Sequence, residues 1–273
     1  MGQNEHEATE GRVLVADARR AAIQDMLRGA GSVSVAEIEA AFGISSMTAR
    51  RDLAELERRG LARRTHGGAV LPSITAHEDS FASRLDREVG AKRAIAAKAA
   101  ELVGEGESVF LDGSSSAYHV ARALLERSIA VTVITNSLPV MDLVGNHPGP
   151  GVDLVGVGGT LRSLTQSFVG PVATHAVQAH VADRLFFSCK GVSPDGLLTD
   201  ADALEAEVKR AMIGRAGEVT LLLDASKVSA RGLNVIGRLA DVHLVLAHGL
   251  GDDAAHAFAA AGPRVVRVRG EAA

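Results

Sequence analysis

The stretch Ser45-Ser46-Met47-Thr48-Ala49-Arg50-Arg51-Asp52-Leu53 constrains this chain more than any other. Two serines open it, and serine is a favoured helix N-cap. Ala49, Leu53 and Leu56 recur at i, i+4 and i+7, the spacing of one buried helix face. Thr48 and Arg51 fall three residues apart on a different face, with Arg50 beside them. A helix anchored on one side, with hydroxyls and guanidiniums at its N-terminal end on the other, suits the major groove of DNA. Taken alone, the pattern also describes an ordinary amphipathic helix with solvated arginines, so the flanking sequence decides.

Upstream, residues 19–30 read as a helix with Ile23, Met26 and Leu27 inward, broken by Gly29 to Gly31. Ser34 can cap a second helix, in which Val35, Ile38 and Phe42 share a face, and Gly43 supplies a tight turn after it. Ser45 or Ser46 then caps the arginine-bearing helix. Two short helices joined by a glycine turn form a helix-turn-helix. Past Gly60, the run Leu61 to Leu71 predicts two short strands about a basic turn, a wing bearing Arg63, Arg64 and His66.

These residues resemble the DeoR family of bacterial transcription regulators. The family's N-terminal signature is met by Arg19, Ile23, Leu27, Ser45, Thr48, Ala49, Arg50, Arg51, Asp52 and Leu53. Its wing motif, Arg-x-His-Gly-Gly-Ala, is present as Arg64 to Ala69. The one departure is Ala49, where Ile or Val is more usual. The expected DNA-binding residues are Ser45, Ser46, Thr48, Arg50, Arg51, Arg63, Arg64 and His66, and the expected partner is a double-stranded operator.

Charge is distributed accordingly. The whole chain carries −4, yet residues 12–66 hold ten arginines against seven Asp and Glu. A locally positive module on an acidic body fits phosphate binding at one end. Aromatic content of 3%, with no Trp, argues against stacking platforms for single strands. Cys189 is the only cysteine, so no intramolecular disulfide forms, and its apolar run predicts a buried packing residue. No Cys/His cluster has zinc spacing, and no cofactor or metal is expected. The first eleven residues are polar and acidic, unlike a signal peptide, and no apolar run approaches a membrane span. A cytoplasmic protein without membrane association is expected.

The organisation predicted is a winged helix-turn-helix over 12–71, a linker over 72–87 and an α/β domain over 88–270. Within the linker, Glu78, Phe81 and Arg84 have the spacing of a short docked segment. Beyond it, apolar runs such as 131–135 and 219–223 alternate with helical stretches such as 92–103 and 203–215. Such alternation implies a mostly parallel sheet covered by helices, with ligands beyond the carboxyl ends of its strands. Polar residues gather there. Asp112 leads into Gly113-Ser114-Ser115-Ser116, where hydroxyls and helix N–H groups suit a phosphate, though serine equally suits a plain helix cap. Thr135-Asn136-Ser137 and Gly158-Gly159 end the next two strands. GxGxxG spacing is absent.

This half resembles the DeoR-family effector domain, related to ribose-5-phosphate isomerases. The landmarks are Glu78-x-x-Phe81-x-x-Arg84, Lys92-x-x-Ile95-Ala96, Asp112 with its serines, Thr135-Asn136-Ser137, Gly158-Gly159, Gly196-Leu197, Glu205 and Asp224-Ala225-Ser226-Lys227. The family's loop is Asp-x-Gly-Ser/Thr-Thr; here Ser114 stands at the glycine position and Gly113 before it. The resemblance implies a repressor of a carbohydrate catabolic operon, controlled by a phosphorylated sugar. Asp112, Ser114, Ser115, Ser116, Thr135, Asn136, Ser137, Gly158, Gly159, Lys190, Glu205 and Lys227 are its expected contacts.

A second reading is an active sugar-phosphate isomerase carrying a DNA-binding domain. It would use Glu205 as base and Lys227 as charge stabiliser, by resemblance to the isomerases. Against it, the isomerases' Asp-Gly-Ala-Asp segment has Ser188-Cys189-Lys190-Gly191 as its counterpart, without a carboxylate. Glu205 and Lys209 also have the spacing of a surface i, i+4 pair. A sensor without turnover is therefore expected. The histidines other than His66 read as surface or locally bonded residues. A single half-site reader binds weakly, so a homodimer or homotetramer is expected.

Overall fold

The computed structural model describes residues 16–30, 32–58, 61–65, 67–70, 79–127, 129–147, 151–228 and 230–269. The chain divides into two compact units, Met1–His77 and Glu78–Ala273.

In the first unit, α1 (Ala16–Ala30), α2 (Val35–Phe42) and α3 (Ser46–Arg58) accompany β1 (Ser32–Ser34), β2 (Arg63–Arg64) and β3 (Gly68–Val70). Ser34 and Glu37 close a reciprocal capping box on α2, and Gly43 ends that helix in the left-handed region at φ 61°. Ile23, Leu27, Ile38, Leu53 and Leu56 interlock in the core, with Ala49 fully buried beside them. Asp52 is also buried, and its carboxylate takes Arg19 at 2.6 Å and Arg20 at 3.0 Å, tying α1 to α3. Helix α1 begins earlier than the sequence suggests. The break after it holds a strand, β1, which makes the wing three-stranded in the order β1-β3-β2, all antiparallel. Gly68 permits that pairing: a Cβ there would meet the Val33 carbonyl oxygen at 2.1 Å.

The second unit opens with α4 (Phe81–Leu85), α5 (Val89–Glu101), β4 (Ser108–Leu111), α6 (Ser115–Arg127), β5 (Val131–Thr135), α7 (Leu138–Gly145) and β6 (Val152–Gly156). A two-stranded ribbon follows, β7 (Thr160–Arg162) with β8 (Ser167–Val169), then α8 (Pro171–Gln178) and β9 (Ala182–Phe187). Next come β10 (Gly191–Val192), β11 (Leu197–Asp200), α9 (Ala203–Ile213), β12 (Ala216–Asp224), β13 (Asn234–Arg238), β14 (Leu244–His248), α10 (Asp252–Ala260) and β15 (Arg264–Val268). Seven strands form one sheet in the order β15-β14-β12-β9-β4-β5-β6, and every pairing in it is parallel.

Strand alternation splits the core in two. Val109 and Leu111 of β4 join α5, α6 and α7 in one cluster, whereas Phe110 joins α8, α9 and α10 in the other. Strand order reverses at β4 and β9, which places the crevice for a ligand beyond their carboxyl ends. The loops after β4, β9 and β12 all open there. A small antiparallel sheet, β10-β11-β13, has no counterpart in the sequence reading.

Candidate nucleic-acid interface and effector cavity

Helix α3 begins as its sequence dictates. Ser45 Oγ accepts the Thr48 amide at 3.4 Å and lies 3.0 Å from Thr48 Oγ1, so both hydroxyls are engaged in the cap. Ser46, Met47, Arg50 and Arg51 are exposed, while Ala49, Asp52 and Leu53 face inward. The anchored-and-armed helix of the sequence reading is therefore present. Met47, which that reading passed over, is 74% exposed on the same helical turn. Arg64 is exposed, and its amide donates to Glu57 Oε1 at 2.9 Å, holding the wing to α3. The Arg63 side chain and His66 lie outside the described residues, as do Glu78 and the linker before it.

In the second unit, a cavity of about 220 Å³ lies beyond the carboxyl ends of β4, β9 and β12. Of the expected contacts, Ser114, Ser115, Lys190 and Lys227 line it. It also takes in Arg84, Arg87, Lys92, Ser188, Lys209 and Asp200, which the sequence reading had not assigned to it.

Each side chain is held by a specific partner. Asp112 is buried and its two oxygens brace the loops: one accepts the Ser114 amide and hydroxyl, the other the Ser188 amide at 3.2 Å. Ser114 Oγ in turn accepts the Ala117 amide at 3.1 Å and caps α6. Lys209 reaches Asp200 at 2.5 Å, Asp112 at 3.4 Å and the Ser188 carbonyl at 2.9 Å. Burial works against the Lys209 charge, but Asp200 and Asp112 outweigh it and hold its pKa above the ordinary lysine value.

Lys227 has no such carboxylate pair. It donates to Ser188 Oγ at 2.6 Å, and burial, with Lys209 and Arg84 nearby, pulls its pKa down despite Asp224. Lys92 donates to the Arg84 and Arg87 carbonyls, pinning the end of α4. Burial and then Lys227 bring the Lys92 pKa down to about 8. Arg84 lies 6.0 Å above the Phe81 ring. Its Nε and one terminal nitrogen are buried without a hydrogen-bond partner among the described residues. Three cations thus repel one another in one concavity, and one of them has unspent donors. Asp79, Asp200 and Asp224 line the same concavity, and buried donors left without a partner are costly.

Other expected contacts are placed elsewhere. Ser116 is buried in the first turn of α6 but does not line the cavity. Thr135 is spent on the Leu111 carbonyl at 2.7 Å and on the Ser137 amide, and Ser137 caps α7. Asn136 donates to the Phe168 carbonyl at 2.9 Å. Asn136 thus ties the β5 end to the ribbon and Thr135 ties it to β4, and none of the three lines the cavity. Gly158 and Gly159 are exposed, and Gly159 is glycine for packing: at φ 153°, a Cβ would meet Ala173 Cβ and the Val169 oxygen at 2.9 Å.

Glu205 is buried, not on a helix surface, because α9 turns that face onto the ribbon. It accepts Thr165 Oγ1 at 2.7 Å and Ser167 Oγ at 2.5 Å, and burial raises its pKa. It does not line the cavity. Gly113 explains the shifted loop glycine, since a Cβ there would lie 2.8 Å from Ser167 Cβ. Cys189 is buried as expected, and burial pushes its thiol up to about 11. His119, expected to be a surface or locally bonded residue, is buried, and its Nε2 has no hydrogen-bond partner among the described residues. Among the described residues, no group of three or more His, Cys, Asp or Glu is placed to hold a metal, and no helix is long and apolar enough to cross a membrane.

Known proteins match over both units. Residues 19–75 fit the model of the DeoR-like helix-turn-helix domain, and residues 87–248 that of the DeoR C terminal sensor domain. The transcriptional repressor AccR of Agrobacterium fabrum is 34% identical over 84% of this chain and 88% of its own. The lactose phosphotransferase system repressor of Streptococcus mutans is 32% identical over 85% and 91%. A ribose 5-phosphate isomerase A from Methanocaldococcus jannaschii shares 19% identity at TM-score 0.38, over 50% of this chain and 53% of its own, a likeness too distant to speak to chemistry. Family models and relatives agree across both units, and the chain belongs to the DeoR family of transcriptional regulators.

Proposed function

We propose that this regulator represses an operon for carbohydrate use and leaves its operator when a phosphorylated sugar enters the cavity. The observation that carries this reading is Arg84, whose Nε and one terminal nitrogen are buried without a hydrogen-bond partner among the described residues, in a cavity that Lys92 and Lys227 also line. A phosphoryl group supplies the charge and acceptors those donors lack. Ser115 and Lys190 line the same cavity and suit the sugar hydroxyls. Relatives named as repressors, one of them of a lactose phosphotransferase system, support the direction of control.

On the DNA side, the exposed face of α3 enters the major groove. Arg50 and Arg51 read base edges, Met47 offers an apolar contact for a thymine methyl, and Arg64 of the wing meets the backbone. Arg63 and His66 are further backbone contacts that the wing motif implies. Two half-sites call for a homodimer or homotetramer working in the cytoplasm.

The isomerase alternative is less well supported. Glu205, the candidate base, has one carboxylate oxygen occupied by two hydroxyls and does not line the cavity. Calorimetry with a panel of aldose and ketose phosphates should find a binder whose free sugar binds far more weakly. The same compound should release a selected operator duplex in a gel shift, with no aldose–ketose interconversion. A panel without a binder, or indifference to the phosphate, would sink the effector reading. Interconverted sugar in the mixture would restore the enzyme.

A further inference from the structure

Helix α5 separates two concavities. At about 100° per residue, Lys92 faces the effector cavity while Gly90, Ala94 and Ala97 fall on the opposite side. That opposite side, with α6 and the ends of β14 and β15, encloses a groove of about 820 Å³. Its size lies within the range of small-molecule sites, about 300–1,000 Å³.

Three features of the groove ask for an anion. His119 lines it, is 5% exposed, and its Nε2 is buried without a hydrogen-bond partner among the described residues. A buried imidazole nitrogen left unpaired is costly unless something outside the chain meets it. Arg93, Arg122 and Arg269 also line the groove, and none of them is ion-paired among the described residues. Finally, the N-terminus of α5 opens here. Glu88 gives it no side-chain cap, and Gly90 and Ala91, whose amides lack intrahelical acceptors, are part of the lining. The carboxylates of the groove stand further along their helices. Glu101 is two turns beyond Arg93 and is taken by Lys98 at 2.7 Å, and Glu126 is one turn beyond Arg122. The basic end is thus left open to an incoming charge.

The geometry points to a second anion site between α5 and α6, one that takes the phosphate or carboxylate group of a small metabolite. The His119 Nε2–H, the α5 amides and the three guanidiniums are its donors. The site is separate from the effector cavity: no lining residue is common to the two, and only helices α5 and α6 contribute to both. A metabolite bound here therefore acts on the same helix that carries Lys92, and the regulator reads two anions rather than one.

The test is imidazole nitrogen–proton spectroscopy on the full chain, with inorganic phosphate in one titration and malonate in another. The His119 signal is assigned by its loss in His119→Gln. All titrations are repeated in Lys227→Met, so that phosphate entering the effector cavity is not mistaken for the groove. A saturable shift of the His119 signal through the millimolar range is expected, and it should persist in Lys227→Met. Response to phosphate alone, to malonate alone or to both identifies the oxyanion. Replacing the exposed Arg93 and Arg122 together by Gln should weaken the response at least about tenfold. No shift with either anion, a shift lost in Lys227→Met, or undiminished affinity in the double arginine variant overturns the site.

Discussion

Arg84 shows how a single side chain can divide stability from function. Its two buried nitrogens have no hydrogen-bond partner among the described residues, so the fold keeps them at a cost. Arg84→Met retains the packing stem over Phe81 and removes the unmet donors. The unliganded variant should melt at the wild-type temperature or above it, while its affinity for the effector falls by about 1.5–3 kcal/mol, the range for a hydrogen bond to a charged group. Thermal melts and calorimetry on one preparation measure both. A variant that melts lower and binds as well as wild type would assign Arg84 to structure alone. Sequence spacing had marked Arg84 as part of a docked segment and given it no ligand role. Nothing local reveals that α4 delivers its guanidinium beside Lys92, eight positions on, and Lys227, far along the chain. Lys209 was hidden for a related reason. Its spacing from Glu205 suits a solvated pair, and only the tertiary position of α9 puts both inside, one on Asp200 and the other on Thr165 and Ser167.

Elements were legible where their pattern is local. The caps at Ser34 and Ser45, the apolar stripe of α3 and the alternating strands of the parallel sheet follow from neighbouring residues, and so does the wing hairpin. Short antiparallel pieces other than that hairpin were not legible. Strand β1 has three residues and β10 two, and each exists only because a distant partner supplies its hydrogen bonds. The serine cluster after β4 was read as a loop, whereas Ser115 and Ser116 already belong to α6. The wing offers a test at this scale. In Gly68→Ala, the new methyl collides with the Val33 backbone, and no side chain can yield to make room. The β1–β3 pairing should open, with a loss on the order of 1–3 kcal/mol or more, as for other overpacked sites. Operator binding should fail in a gel shift, while calorimetry returns wild-type affinity for the effector. Operator affinity equal to wild type would mean that the wing does not support the reading head.

At the scale of the molecule, two buried groups set opposing responses to acid. Burial, then Lys92, lowers the His119 pKa from 6.5 to about 4. The unfolded imidazole takes a proton that the folded one refuses, so this group's contribution is lost as the pH falls through that window, about 2 kcal/mol of it by about pH 5. Glu205 runs the other way. Burial raises its carboxyl pKa, so the folded chain holds a proton that the unfolded one releases, and its contribution improves as the pH falls. Replacing His119 by Gln should flatten the decline in sensor stability between neutral pH and about pH 5, measured by denaturant titration. An unchanged slope would show that the imidazole is not held neutral. The same neighbourhood has an optical consequence. The chain contains one tyrosine and no tryptophan. That tyrosine, Tyr118, stands edge-on to Phe81 of α4 at 5.9 Å and to His119 at 5.9 Å. Excited at wavelengths that phenylalanine does not absorb, the chain therefore emits only from the joint between α4 and α6. The protein carries its own fluorophore at the place where events on either side of α5 converge, and no label is needed to watch them.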